Sequence, residues 1–289
     1  MFPSQSAVDI EQWLGTDASD LPALPRVAAE LASLAEDSDA ACEQLAELVV
    51  REPVLAARML RLVNSAYFGL SQKITDIRHA VYLLGLRTVR TVALTAAVFS
   101  AFKGTRTGSF DLDRFWRHSI SAAAVCATLA KRCGSFGSET AFSLGLLHDI
   151  GKMVLVRYRL PDAERVVEKA QHEAISFYAC EQQITPVTHA ELGGWLGQRW
   201  GLPSVLVEGM ATHHNVPGAE VQLPPMDAAL RFANYLCAVK GISTSGSCSE
   251  PDLDPQTWYA LGLTSSDVPG LIDVINAEIK TAEDLVRTT

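Results

Sequence analysis

A histidine and a carboxylate stand side by side in Leu146-Leu147-His148-Asp149-Ile150-Gly151-Lys152, within a stretch that is otherwise apolar. Burying such a pair unpartnered is expensive. Either the two groups bond each other, or a cation satisfies both. Neutral imidazole nitrogen and carboxylate oxygen are ligands for divalent Zn, Fe, Mn, Ni or Co, and a neighbouring turn could add a second histidine. Helical periodicity places Lys152 one turn beyond His148, where an ammonium could meet a phosphate bound to such a metal. Five of the other six histidines, His118, His172, His189, His213 and His214, also fall beyond residue 110. His118 precedes His148 by 30 residues (148 − 118), the separation expected when adjacent antiparallel helices face each other. His189 begins one helical stretch and His213-His214 ends another, 24 residues later (213 − 189). His118, His148, Asp149, His189, His213 and His214 are therefore the candidate metal ligands. His172, in Gln171-His172-Glu173, reads as a solvated helix end, and His79 has no ligand candidates around it.

The elements that must position these residues read as helices throughout, because apolar residues recur at helical spacing and β-branched runs bounded by turn signals are scarce. Helices are expected from near Pro25, from Asp39 to Val50, from Pro53, and from Asp76 through Leu84, with a loop over Gly69 to Thr75. A long apolar helix follows from about Leu86 to Ala101. Lys103 to Asp113, with Gly104 and Gly108, is the expected joint between two helical halves. Beyond it we expect a helix from Asp111 or Asp113 to Cys133, one helix from Glu139 to Tyr158, and a pair between Pro161 and Cys180. Further helices should run from Pro186 to Trp200, up to His213-His214, and from Pro225 to Val239. Gly241 to Pro255 reads as a flexible loop, and an amphipathic helix from Asp267 to Val286 closes the chain.

Composition bounds the function class. With 48% hydrophobic residues among 289, the chain buries a sizeable core and is not disordered. A balance of 24 Lys+Arg against 33 Asp+Glu, net −9, is a poor footprint for a nucleic-acid binder, so no nucleic-acid partner is expected. Met1 to Gly15 lacks the basic and apolar regions of a signal peptide, and no run suits a membrane span, so a cytoplasmic protein with no membrane partner is expected. The six cysteines (42, 126, 133, 180, 237 and 248) are scattered, without a C-x-x-C pair, and read as mostly buried thiols. Two surface features could take a ligand or partner. Asn64, in Asn64-Ser65-Ala66-Tyr67-Phe68-Gly69, could sit in a recognition loop, though a helix end stapled to the core explains it equally well. Arg87 and Arg90, with Lys103 and Arg106, could form a basic strip for an acidic group, or snorkel from an apolar helix.

The order His118, His148-Asp149, His189, His213-His214 resembles the HD superfamily of metal-dependent phosphohydrolases, and His148-Asp149-Ile150-Gly151-Lys152 is similar to the corresponding phrase of its HD-GYP branch. More phrases resemble the HDOD domain, a helical relative found in bacterial signalling proteins. They are Leu21-Pro22-Ala23-Leu24-Pro25, Glu52-Pro53-Val54-Leu55, the Asn64 to Gly69 phrase, Ile77 to Ala80 with Leu84-Gly85, Phe115-Trp116-Arg117-His118-Ser119, Gly145 to Lys152, and Trp200-Gly201-Leu202-Pro203. The likeness covers about Leu21 to Val216.

That resemblance implies an all-α, multi-helix HDOD/HD-like bundle: an N-terminal segment over 1–20, an HDOD domain over 21–216 (halves 21–103 and 111–216), and a C-terminal helical extension over 217–289. It implies a bacterial regulatory module, acting on signalling proteins in trans because the flanks leave no room for a further domain of typical size. A nucleotide-type ligand is the other candidate partner. The superfamily's metal site is commonly completed by an aspartate on a later helix, and the corresponding phrase here, Arg231-Phe232-Ala233-Asn234-Tyr235, carries Asn234. An amide is a poorer ligand than a carboxylate and leaves the site one negative charge short. Gly-Tyr-Pro, the mark of a cyclic-dinucleotide phosphodiesterase, is absent after His214, where Asn215-Val216-Pro217-Gly218 follows. The resemblance thus predicts a metal site without turnover. The alternative is a metal-dependent phosphohydrolase acting on a nucleotide or cyclic dinucleotide, with Lys152 on the phosphate.

Overall fold

The computed structural model describes residues 9–15, 39–51, 70–86, 104–215, 222–243 and 253–264 as continuous stretches, with shorter pieces at 56–57, 59–60, 63–64, 89, 93, 101–102, 267, 271–273 and 276. Among the described residues there are helices and no strand. In chain order the helices are α1 (Ile10–Leu14), α2 (Asp39–Val50), α3 (Ile77–Leu84), α4 (Leu112–Cys133), α5 (Ser138–Leu147), α6 (Ile150–Tyr158), α7 (Leu160–Glu173), α8 (Phe177–Ile184), α9 (His189–Arg199), α10 (Ser204–Thr212), α11 (Pro225–Val239) and α12 (Pro255–Ala260). The all-α architecture is as the sequence predicts.

Local signals set most boundaries. Asp76 caps α3 and Asp111 caps α4, each accepting a backbone N–H with its carboxylate. Gly134 closes α4 at φ 67°, a left-handed position where a side chain would be strained. Ser176 caps α8 through the Ala179 N–H. Thr188 and Glu191 form a reciprocal capping box, which starts α9 at His189, later than the Pro186 start the sequence suggested.

The expected single helix from Glu139 to Tyr158 is two helices. His148 ends α5 with its N–H on the Leu144 carbonyl, and Asp149, at φ −95° and ψ 4°, links it to α6. The Asp149 carboxylate makes no cap to α6. Continuous apolar periodicity on both sides hid the break, since neither Gly nor Pro marks it. The helix α12, with Asp254 capping it through the Thr257 N–H, follows the stretch read as a loop.

The core centres on α4, α5, α6 and α9. Residues His118 to Ala127 of α4 and Ile150 to Val156 of α6 are buried without interruption, so these helices lie inside the bundle rather than on its surface. α4 packs along α5 and α11, while α6 and α10 both pack on α9. Phe115, Leu129, Leu144, Leu146, Leu147 and Ile150 are almost wholly enclosed, each contributing roughly 1.5–3 kcal/mol by burial. α11, which belongs to the segment after 216, packs on both α4 and α5 and is integral to this core. The expected helix near Pro25, the Leu86 to Ala101 and Asp267 to Val286 helices apart from isolated residues, and most of the Gly241 to Pro255 loop lie outside the described residues.

Candidate metal centre

Tight helix contacts bring the histidines together. Gly145 on α5 lies against the α4 backbone so closely that a Cβ there would sit 2.7 Å from Ala123 Cα and 2.8 Å from Ala122 O. Gly151 on α6 is pressed in the same way onto the His189 carbonyl and the Gly193 amide of α9. One close approach sets His118 opposite His148, and the other sets Asp149 opposite His189.

Four imidazoles are held in one orientation by what their Nδ1 atoms meet. His118 Nδ1 lies 2.9 Å from the Ile242 carbonyl, His148 Nδ1 2.7 Å from Gly145 O, and His213 Nδ1 2.8 Å from Met210 O. His189 Nδ1 lies 2.5 Å from Glu181 Oε2. Each of these oxygens accepts, so each Nδ1 carries the proton and donates it, and in the neutral ring the Nε2 lone pair points the other way. Those lone pairs converge. His118 Nε2 is 3.4 Å from His148 Nε2, and His189 Nε2 is 3.2 Å from His213 Nε2 and 3.0 Å from His214 Nε2.

Asp149 lies between the two groups. Its Oδ2 faces His148 Nε2 at 3.5 Å and His118 Nε2 at 3.7 Å, and its Oδ1 faces His189 Nε2 at 3.1 Å and His213 Nε2 at 3.7 Å. Two ligand sets result, His118 with His148 and Asp149, and Asp149 with His189, His213 and His214. Acceptors that face acceptors at hydrogen-bond distance repel unless a proton or a cation lies between them, so the donor set fits a divalent metal.

Electrostatics point the same way. Burial pushes His118 and His213 below the ordinary imidazole range, and His148 and His214 well below it, so these four rings favour the neutral ligand form. Burial would raise Asp149, but His148, Lys152 and the hydrogen-bonding His189 and His213 together outweigh it and hold the carboxyl well below its ordinary value. His189 is the exception. Burial pushes it down, yet the Glu181 carboxylate outweighs that and raises it.

Lys152 reaches the site differently from the sequence expectation. Its Nζ lies 2.7 Å from Asp149 Oδ2, both groups buried, and 5.0 Å from the centre of the Phe177 ring. The ammonium therefore neutralises the carboxylate. Asn234 on α11 stands beside His118, close enough to favour that ring's protonated form, while its own Oδ1 is buried with no hydrogen-bond partner. Such an orphaned acceptor is costly, and a cation in the first ligand set is a partner its position can serve.

The remaining candidates separate from this cluster. The Asn64 carboxamide donates to the Leu60 and Ile74 carbonyls and accepts the Ile74 N–H, each at 2.6 Å. It staples the 70–76 loop to the preceding helical turn, the alternative the sequence offered for this phrase. Arg87 and Arg90 lie outside the described residues. Sequence reasoning expected a second helix reaching Cys180 but gave none of the α8 residues a role at the site. Phe177 and Tyr178 set their ring edges against His189, Tyr178 also stacks on His214 at 4.2 Å, and Glu181 holds His189 from behind. The available signal was Glu181 itself, a carboxylate eight residues before His189 that directly follows the weakly polar run Phe177-Tyr178-Ala179-Cys180.

No helix among the described residues is long and apolar enough to cross a membrane. Comparison with known proteins agrees with the geometry. The HDOD domain model matches residues 21–216. An uncharacterized protein of Treponema pallidum (strain Nichols) is 28% identical over 218 residues, 74% of this chain, which spans only 42% of that relative's length. The crystal structure of an HDOD domain protein of unknown function from Geobacter sulfurreducens superposes with a TM-score of 0.80 at 25% identity, covering 96% of this chain and 95% of that one. A Shewanella amazonensis protein provisionally named a phosphohydrolase superposes with a TM-score of 0.74 at 27% identity, covering 98% and 99%. With its family model spanning two thirds of the sequence and its bundle shared across these structures, this chain belongs to the HDOD domain family.

Proposed function

We propose that the chain is a bacterial, cytoplasmic signalling module that acts on partner proteins or through a nucleotide-type ligand, with a degenerate HD-type metal site that does not turn over substrate. The observation that carries this reading is Asn234. An amide stands beside His118 where the superfamily commonly has a ligand carboxylate, with Oδ1 unpartnered. A metal there would be held by His118, His148 and Asp149, with His189, His213 and His214 around the other carboxylate oxygen. With one carboxylate for a cluster of five imidazoles, and with Lys152 already on it, a divalent ion keeps more net positive charge than a hydrolytic centre wants. Anion binding is favoured over release of an anionic product.

A second reading, metal-dependent phosphohydrolase, is supported by the convergence of all six proposed ligands and by the provisional name of the Shewanella amazonensis relative. A bound metal would supply Lewis acidity and an activated water, and Lys152 would have to leave Asp149 to meet a phosphate. The test is turnover of cyclic dinucleotides and nucleotides by protein purified without a histidine tag and loaded with Mn(II) or Fe(II). No hydrolysis is expected. Hydrolysis that disappears in His148→Ala and Asp149→Ala would establish the second reading instead. Activity appearing only in Asn234→Asp would locate the degeneracy at that amide.

A further inference from the structure

Resting on the reading that the cluster binds a metal, we infer that Glu181 is a positioning residue that aims His189 at the ion. Both oxygens of this fully buried carboxylate are engaged by one residue: Oε2 accepts from His189 Nδ1 and Oε1 accepts from the His189 backbone N–H at 3.0 Å. The ring and the start of α9 are thus fixed together, and Glu181 faces the side of the imidazole opposite Nε2. It cannot itself be a ligand in this arrangement.

His189 is the ring whose orientation matters most. Its Nε2 meets Asp149, His213 and His214 at 3.1, 3.2 and 3.0 Å, so a small ring rotation disturbs the whole second ligand set. His118, His148 and His213 lean on backbone carbonyls, whereas His189 leans on a charge. A carboxylate behind a ligating imidazole fixes its tautomer and strengthens it as a donor. It also returns part of the negative charge that Asn234 withholds, one hydrogen bond removed from the ion. Holding α8 against α9 alone would need only apolar packing, which Phe177 already supplies.

The test compares the full chain with Glu181→Gln, which preserves size and one acceptor oxygen but removes the charge. Mn(II) alone is titrated into metal-free protein, and the histidine ring nitrogens are followed by NMR. Mn(II) affinity should fall about 10- to 100-fold in the variant. In the metal-free state the Nδ1–H signal of His189 should shift strongly, with those of His118 and His213 unmoved. A folded variant whose Mn(II) affinity stays within about twofold of wild type overturns the inference. If neither protein binds Mn(II), the metal reading fails, and the NMR still decides: an unshifted His189 signal rejects the positioning role, and a selective shift supports it. Should Glu181→Gln not fold, the wild-type spectrum suffices, because a His189 ring with no proton on Nδ1 rejects the role and a strongly hydrogen-bonded Nδ1–H supports it.

Discussion

Gly145→Ala tests whether the α4–α5 contact builds the first half of the metal centre. The added methyl would lie 2.7 Å from Ala123 Cα, 2.8 Å from Ala122 O and 2.8 Å from Ala123 N, where 3.4 Å is ordinary contact. The helices must part locally by about 0.7 Å (3.4 − 2.7). All three obstructing atoms are backbone in a 22-residue helix, so no side chain can swing aside. Overpacking of this kind costs about 3 kcal/mol at the upper end, and the better helix propensity of Ala over Gly returns about 1. The net loss is about 2 kcal/mol, or roughly 4–8 °C in Tm. The shift falls between His118 and His148, whose Nε2 atoms are 3.4 Å apart, and it moves the Gly145 carbonyl that orients His148. Mn(II) affinity should therefore drop together with stability. Urea denaturation, differential scanning calorimetry and Mn(II) titration read both, with Gly137→Ala as control, because there the only neighbour is Thr140 Oγ1 at 3.6 Å. A Gly145→Ala protein about 1 kcal/mol more stable than wild type, the propensity gain alone, with unchanged Mn(II) binding, would refute the reasoning.

Two further outcomes follow from the charges. His118, His148, His213 and His214 all have folded pKa values below the ordinary 6.5, so protonation favours the unfolded chain, and the metal-free protein should lose stability as pH falls below about 6.5. Asp149, held below 3.8, adds a further loss beneath that pH, while the raised His189 contributes stability that is present below 6.5 and lost as pH rises through its folded pKa, opposing the trend from one site against four. A urea midpoint that is flat or rising from pH 7 to 5 would contradict this. Lys152→Met removes the ammonium 2.7 Å from Asp149, leaving an uncompensated buried carboxylate that should cost the metal-free protein about 3–5 kcal/mol. The same change takes away the cation that competes with a metal, so Mn(II) should bind about tenfold tighter or more and restore the urea midpoint; weaker binding would show that Lys152 helps to hold the ion.

Residues whose role depends on type and spacing were visible in the sequence, and residues whose role depends on a three-dimensional neighbour were not. His118 and His148, 30 residues apart, meet because α4 and α5 run back against each other, as their helical lengths required. The break at His148-Asp149 left no mark, because the feature that ends α5 is the demand that both side chains face one centre. Lys152 was placed on the correct side of α6, but its partner came out as Asp149, since spacing gives a direction and only packing gives a distance. The segment after 216 looked like an appendage, yet it supplies Asn234 and the Ile242 carbonyl to His118. Glu181 was passed over for the same reason: a buried glutamate carries no signature until its histidine is seen.

The same division bears on function. A metal site is legible because its ligands must be histidine and aspartate. Whether it turns over depends on its charge, and here that charge is set by Asn234, Lys152 and Glu181, which meet the ligands only in the folded chain. Asn234 and Lys152 both lower the negative charge available to an ion at the first ligand set, and Glu181 acts only through His189 at the second. On the proposed reading, this arrangement favours holding an ion over driving hydrolysis with it, as a module that signals by changing state would require.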